Sequence, residues 1–161
     1  MKKILIIYST FTGNTQEAAT IVHGKIKQEL PQFNFILSNI RDVSTREIAE
    51  YPLVIFGTST WEDDNSPDTE KFLNKLATDS PQFSNTTFAL FGLGDSVYLN
   101  FCAAVPIVKQ ALEAHYATIY PHIFTIDGYP TETSIQDLLT WAKLFIQNNT
   151  IKNSGKNAHA G

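Results

Sequence analysis

The sequence predicts an α/β domain, a three-layer αβα sandwich around a five-stranded parallel sheet in the order 2-1-3-4-5. Three observations lead there. Short β-branched runs alternate with segments of helical periodicity, the pattern of repeated βα units joined by right-handed crossovers. Several runs are apolar almost without a break, as strands are when helices cover both faces of their sheet. The 161 residues suit one domain with a sizeable core, and no internal repeat or linker interrupts them.

The elements follow in order. Strands are expected at Lys3–Tyr8, Phe33–Ser38, Leu53–Gly57, Thr87–Phe91 and Thr118–Ile126, the first, third and fourth being the near-continuous apolar runs. Between the first two, Ala18, Ile21, Val22, Ile26 and Leu30 form one stripe of a helix over Thr15–Leu30. Asp42–Tyr51 has room only for a short helix. Pro67–Leu76 reads as a helix with proline in its first turn, where a missing N–H costs nothing. Val105–His115 reads as another, with Pro106 near its start. Ile135, Leu138, Leu139, Ala142, Phe145 and Ile146 mark the last helix, with Ser134 and Asp137 spaced as a capping box. The domain is expected over residues 1–147, and 148–161 as a polar, disordered tail.

Bulk composition narrows the function classes. Hydrophobic residues make up 43% and charged residues 17%, the composition of a globular chain. A net charge of −4 argues against nucleic acid as a partner, because phosphate neutralisation needs a basic face. Cys102 is the single cysteine, so no internal disulfide forms and a reducing compartment is the simpler reading. The apolar run after Met1-Lys2-Lys3 is too short for a signal peptide and passes into a Ser/Thr/Gly loop. No apolar stretch approaches a membrane span. A cytoplasmic monomer with no membrane partner is expected.

In this sheet order ligands lie at the carboxyl ends of the strands beside the switch point, which directs attention to the loops after strands one, three and four. The first loop runs Ser9-Thr10-Phe11-Thr12-Gly13-Asn14-Thr15 into a helix. Backbone N–H groups at a helix start and short polar side chains suit a phosphate, although the same residues also make ordinary caps. Gly13 permits close approach or positive φ. The second loop, Thr58-Ser59-Thr60-Trp61-Glu62-Asp63-Asp64, places a tryptophan among polar residues, to be read as a packing residue or as a ligand platform. The third, Gly94-Asp95-Ser96-Val97-Tyr98-Leu99-Asn100-Phe101-Cys102, carries a tyrosine that is equally at home on a surface. Brought to one end of the sheet, the three loops combine a phosphate cradle with an aromatic from each of the other two, which suits a planar phosphorylated ring.

These residues resemble the flavodoxin family, specifically its short-chain members. Thr10-Phe11-Thr12-Gly13-Asn14-Thr15 is similar to the family's FMN phosphate loop, Thr/Ser-x-Thr-Gly-x-Thr. Thr58-Ser59-Thr60-Trp61 resembles the loop that sets an aromatic on one face of the isoalloxazine. Gly94-Asp95-Ser96 with Tyr98, Phe101 and Cys102 resembles the loop that stacks a tyrosine on the other face and bonds the pyrimidine edge. The resemblance spans Met1 to about Ile146, and no long insertion enters the fifth strand. It departs at Glu62, where the family often has glycine.

The resemblance implies a flavodoxin-like carrier that binds one FMN non-covalently and passes single electrons between a reductase and an acceptor enzyme. Its implied cofactor residues are Thr10 to Thr15, Thr58 to Asp63, Gly94, Asp95, Tyr98, Phe101 and Cys102. Glu62, Asp63, Asp64, Asp68 and Glu70 would form an acidic rim for a flavodoxin reductase. The alternative is an FMN-dependent NAD(P)H or quinone oxidoreductase acting alone, for which no second-ligand motif is present. Other motifs stop short. Trp61 occupies the second glycine position of a nucleophile elbow, Val97 the third glycine of a dinucleotide fingerprint, and the four histidines show no metal-ligand spacing.

Overall fold

A computed structural model describes residues 2–61, 64–99 and 101–158. The strands are β1 (Lys2–Tyr8), β2 (Phe33–Asn39), β3 (Leu53–Trp61), β4 (Asp64–Asn65), β5 (Thr87–Gly94), β6 (Thr118–Ile119) and β7 (Phe124–Asp127). The helices are α1 (Asn14–Glu29), α2 (Thr45–Ile48), α3 (Pro67–Asp79), α4 (Ala104–Ala114) and α5 (Glu132–Ala158), with a 3-10 turn at Ile40–Asp42. The sheet runs β2-β1-β3-β5, with β6 and β7 both parallel to β5 as its last strand. This is the expected order 2-1-3-4-5.

Alternation along the strands builds the core. In β1, Ile4, Ile6 and Tyr8 face α1 and α5, while Leu5 and Ile7 face α3 and α4. Leu53 and Ile55 of β3 repeat the first choice, Val54 and Phe56 the second. Both faces are therefore covered, which explains the unbroken apolar runs. Phe56 is fully buried and meets Phe72 of α3 edge to face at 5.4 Å. Truncating it to alanine should cost about 3–5 kcal/mol.

β1 pairs with β2 on one side and β3 on the other, Tyr8 lying opposite both Asn39 and Gly57. The crossover through α1 covers one face of the sheet and that through α3 the other. The chain therefore parts at the carboxyl ends of β1 and β3 and opens a crevice there.

Four features differ from the sequence expectations. The fifth strand is interrupted: Phe88 pairs with Ile119 but Phe91 with Phe124, so the outer strand carries two extra residues across the gap. Pro121 within that bulge has no N–H for a ladder, and edge strands accommodate such a break. β3 runs beyond Gly57 to Trp61, where Thr60 and Trp61 pair antiparallel with Asn65 and Asp64. The cap of α5 sits one turn earlier than Ser134–Asp137: Ser134 N donates to Thr131 Oγ1 (3.1 Å) and Thr131 N to Ser134 Oγ (2.7 Å). α5 then continues to Ala158, past the boundary expected at 148. In that stretch Asn149 Nδ2 donates to Phe145 O and Thr150 Oγ1 to Ile146 O, so these polar side chains bond back to the helix's own carbonyls. Residues 159–161 lie outside the described chain.

Candidate cofactor site

The loop between β1 and α1 is built for tightness. Ser9 N donates to Gly57 O (2.9 Å), extending the β1–β3 ladder by one bond. Beneath it the buried Ser9 hydroxyl joins those of Thr69 (2.5 Å) and Ser66 (3.3 Å), tying the loop to the start of α3. Gly13 N donates to Thr10 Oγ1 at 3.0 Å. Gly13 adopts φ 95° with open space around its Cα, so glycine is required there by conformation and not by crowding. Its carbonyl accepts from Glu17 N, opening α1. Thr15 follows in the first turn and is fully buried.

The second loop continues β3. Thr58 is buried and Ser59 half-buried, both at the strand's carboxyl end. Thr60 Oγ1 accepts from Ala104 N (3.0 Å) and so caps α4, whose own N-cap, Ala103, has no side-chain acceptor. Glu62 and Asp63 lie outside the described residues, as does the Trp61 side chain. The expected rim acids are partly engaged. Asp68 meets Arg41 Nε at 3.5 Å, and Glu70 accepts from Asn65 Nδ2 at 2.7 Å.

The third loop leaves β5 at Gly94. A Cβ there would lie 2.9 Å from Cys102 N and 3.1 Å from both Cys102 Sγ and Phe101, so glycine lets the loop fold back on itself. Cys102 closes the loop buried and at φ 54°. Burial, with Asp127 nearby, pushes its thiol up to about 12. Asp95 shapes the turn: its carboxylate accepts from Val97 N (2.9 Å) and its carbonyl from Tyr98 N (3.0 Å).

A cleft of about 350 Å³ joins these loops, lined by Thr12, Asn14, Thr15, Ser59, Thr60, Leu93, Gly94, Asp95, Tyr98, Gly128 and Tyr129. Eight of the expected residues, Ser59 and Thr60 among them, thus share one hollow, along with Leu93, Gly128 and Tyr129, which the sequence reading does not single out. Thr10, Phe11, Gly13, Thr58, Phe101 and Cys102 are not part of its lining. The missed wall is the turn after β7, Asp127-Gly128-Tyr129. Its Asp-Gly pair is a turn signal at the same carboxyl end of the sheet, and could have been found by extending the search to the loop after strand five. A larger open hollow of about 700 Å³ lies elsewhere, between α2 and the end of α3, and is lined by none of these residues.

The hydroxyls of Thr15, Thr58 and Ser59 are buried and have no hydrogen-bond partner among the described residues. Buried hydroxyls are ordinarily paired. Three orphans from two loops that meet at one cleft fit a polar ligand group rich in acceptor oxygens, as FMN carries in its phosphate and ribityl chain.

Fold and site together define the class: a doubly wound α/β nucleotide-binding domain with its cleft at the switch point, an arrangement of which flavodoxin is itself a standing example. The family model for flavodoxin matches residues 6–141. The chain is 31% identical to the flavodoxin of Maridesulfovibrio salexigens over 137 residues, 84% of this chain and 92% of that one. It is also 31% identical to the probable flavodoxin 2 of Bacillus subtilis over 148 residues, covering 90% and 95%. The oxidised flavodoxin 2 of Bacillus cereus superposes with a TM-score of 0.80 at 26% identity, covering 91% of this chain and 99% of that one. The chain belongs to the flavodoxin family, in its short-chain group. Its cofactor is FMN, and it is an electron-transfer protein rather than an enzyme.

Proposed function

We propose that the protein is a low-potential carrier that moves single electrons from a reductase to an acceptor enzyme in the cytoplasm, acting as a monomer. One observation supports it above the others. The orphaned hydroxyls of Thr15 and Ser59 belong to the wall of the cleft, with that of Thr58 next to Ser59 in the chain, and among the described residues the lining includes no Lys, Arg or His. A phosphate held there by hydroxyls and the N–H groups of Thr12 to Thr15 keeps its negative charge. Asp95 adds an acidic residue to the cleft wall.

In this reading Thr10, Phe11, Thr12, Gly13, Asn14 and Thr15 wrap the phosphate. Thr58, Ser59 and Thr60 support the ribityl side, while Trp61, Glu62 and Asp63 cover one ring face. Tyr98 covers the other, and Gly94, Asp95, Phe101 and Cys102 frame the pyrimidine edge. Bound FMN supplies reversible one-electron chemistry. The chain contributes electrostatics: a fixed unit charge about 10 Å away opposes an added electron by roughly 0.4–1.7 kcal/mol at effective dielectrics of about 20 to 80. Several such charges without a neighbouring cation favour a low potential. No helix among the described residues is long and apolar enough to cross a membrane. In the same reading the acids of the second loop and of α3 supply the partner-facing charge; Arg41 partly offsets Asp68, while Glu70, bonded to the neutral Asn65 amide, keeps its charge.

The test is to mix the FMN-loaded chain anaerobically with NADPH, with and without a flavodoxin reductase. A carrier is reduced only when the reductase is present. Reduction by NADPH alone, with turnover of an added quinone, would establish the stand-alone oxidoreductase instead.

A further inference from the structure

The segment 95–99 is exposed throughout, yet it carries Tyr98 on the wall of the cleft. Its internal bonds, Val97 N to Asp95 Oδ1 and Tyr98 N to Asp95 O, shape a tight turn but attach it to nothing. Among the described residues, the attachment comes from Ser96. Ser96 N donates to Asp127 Oδ1 at 2.9 Å and Ser96 Oγ to Asp127 Oδ2 at 2.5 Å, across 31 residues of sequence. Beside this fork, Gly128 N donates to Gly94 O at 2.8 Å. Asp127 ends β7, so the fork is anchored in the sheet.

We infer that Asp127 is a positioning residue for the cofactor ring: by gripping Ser96 with both carboxylate oxygens it holds the Asp95–Tyr98 turn, and with it the Tyr98 ring, against the cleft. Geometry carries the inference. Ser96 is the second residue of the turn and Tyr98 the fourth, so fixing both donors of Ser96 fixes the plane from which Tyr98 projects. Hydrogen bonds to an ionised acceptor are the strong kind. The same bonds hold the Asp127 carboxyl below its ordinary range, so it stays ionised at neutral pH. In an unclamped 95–99 segment Val97 and Leu99, almost wholly in solvent, add little packing to hold the turn in place. Asp127 touches the turn and not the ring; its effect is exerted through Tyr98.

The inference rests on the FMN assignment, and the experiment separates the two. Asp127→Ala, Ser96→Ala and the double variant are compared in the natural background and with Tyr98→Ala. FMN affinity, flavin fluorescence and amide exchange of the FMN-free chain are measured for each. Asp127→Ala, which removes both bonds, should weaken FMN by about tenfold, equivalent to the loss of about 1.4 kcal/mol, and leave bound flavin brighter, whereas Ser96→Ala, which keeps the backbone N–H bond to Asp127 Oδ1, should do less. The double variant should be no worse than Asp127→Ala alone, because that change already removes both bonds of the fork. With Tyr98 already alanine, Asp127→Ala should change FMN affinity little. Asp127→Asn, which keeps one acceptor oxygen for Ser96, should restore most of the fluorescence quenching. In the FMN-free chain the Ser96 and Tyr98 amides should exchange faster in Asp127→Ala. An equal loss of FMN affinity in the Tyr98→Ala background, or unchanged exchange and quenching, would overturn the inference. Failure of the natural chain to take up FMN would overturn the cofactor assignment, and the exchange comparison would still judge the clamp.

Discussion

Replacing Thr15 by valine should stabilise the FMN-free protein while weakening FMN, two effects of opposite sign from one oxygen atom. Thr15 is fully buried, and its hydroxyl has no partner among the described residues. An unpaired buried hydroxyl costs about 1–3 kcal/mol. Valine keeps the shape and branching, and in the first turn of α1 the two residues have similar helix propensity. The FMN-free chain should therefore gain roughly 1 kcal/mol, raising its melting temperature by about 2–4 °C for a domain of this size. FMN should lose a hydrogen bond to a charged group, worth about 1.5–3 kcal/mol, or roughly 10- to 150-fold in Kd. Riboflavin, which lacks the phosphate, should bind about as before. Thermal unfolding of the FMN-free variant and titration calorimetry with both ligands give the three numbers. A destabilised FMN-free chain, or equal losses for FMN and riboflavin, would refute the assignment of this hydroxyl to the phosphate.

Three further outcomes are expected. Tyr98→Ala should weaken FMN by about 0.5–1.5 kcal/mol beyond lost contact area and brighten the bound flavin, as read by fluorescence titration. Association with a basic reductase should slow with salt, and Asp63→Asn with Asp64→Asn should flatten that dependence in stopped-flow measurements. Cys102 has a folded-state thiol pushed from 9.0 up to about 12. Above pH 9 the unfolded chain then binds fewer protons than the folded one, so this group's stabilising contribution falls as pH rises towards 12. Denaturant titrations should show a steeper alkaline loss in the natural protein than in Cys102→Ala.

What the sequence made legible followed from periodicity and local chemistry. Continuous runs such as Ile4–Tyr8 announce a strand buried on both faces, and five strands alternating with helices fit the common doubly wound order 2-1-3-4-5. The Thr10–Thr15 loop and Tyr98 were visible because topology brings them together at one end of the sheet. The Asp127–Ser96 fork was not visible, since it joins residues far apart in sequence and nothing local to Asp127 calls for it. The break in the fifth strand is signalled locally by Pro121, but the strand-like residues on both sides, Thr118-Ile119 and Ile123 to Ile126, read as one run across it. The helical cap was misplaced by one turn because Thr131 and Ser134 satisfy the same pattern as Ser134 and Asp137. Gly13 was flagged for either close approach or positive φ, and the structure decides for φ.

The most direct measurement is an anaerobic redox titration of the chain loaded with FMN and followed by its absorbance. A carrier of the kind proposed takes up one FMN per chain and is reduced in two resolved one-electron steps, the second at a potential well below that of free FMN. A single two-electron step at the potential of free FMN would contradict the account.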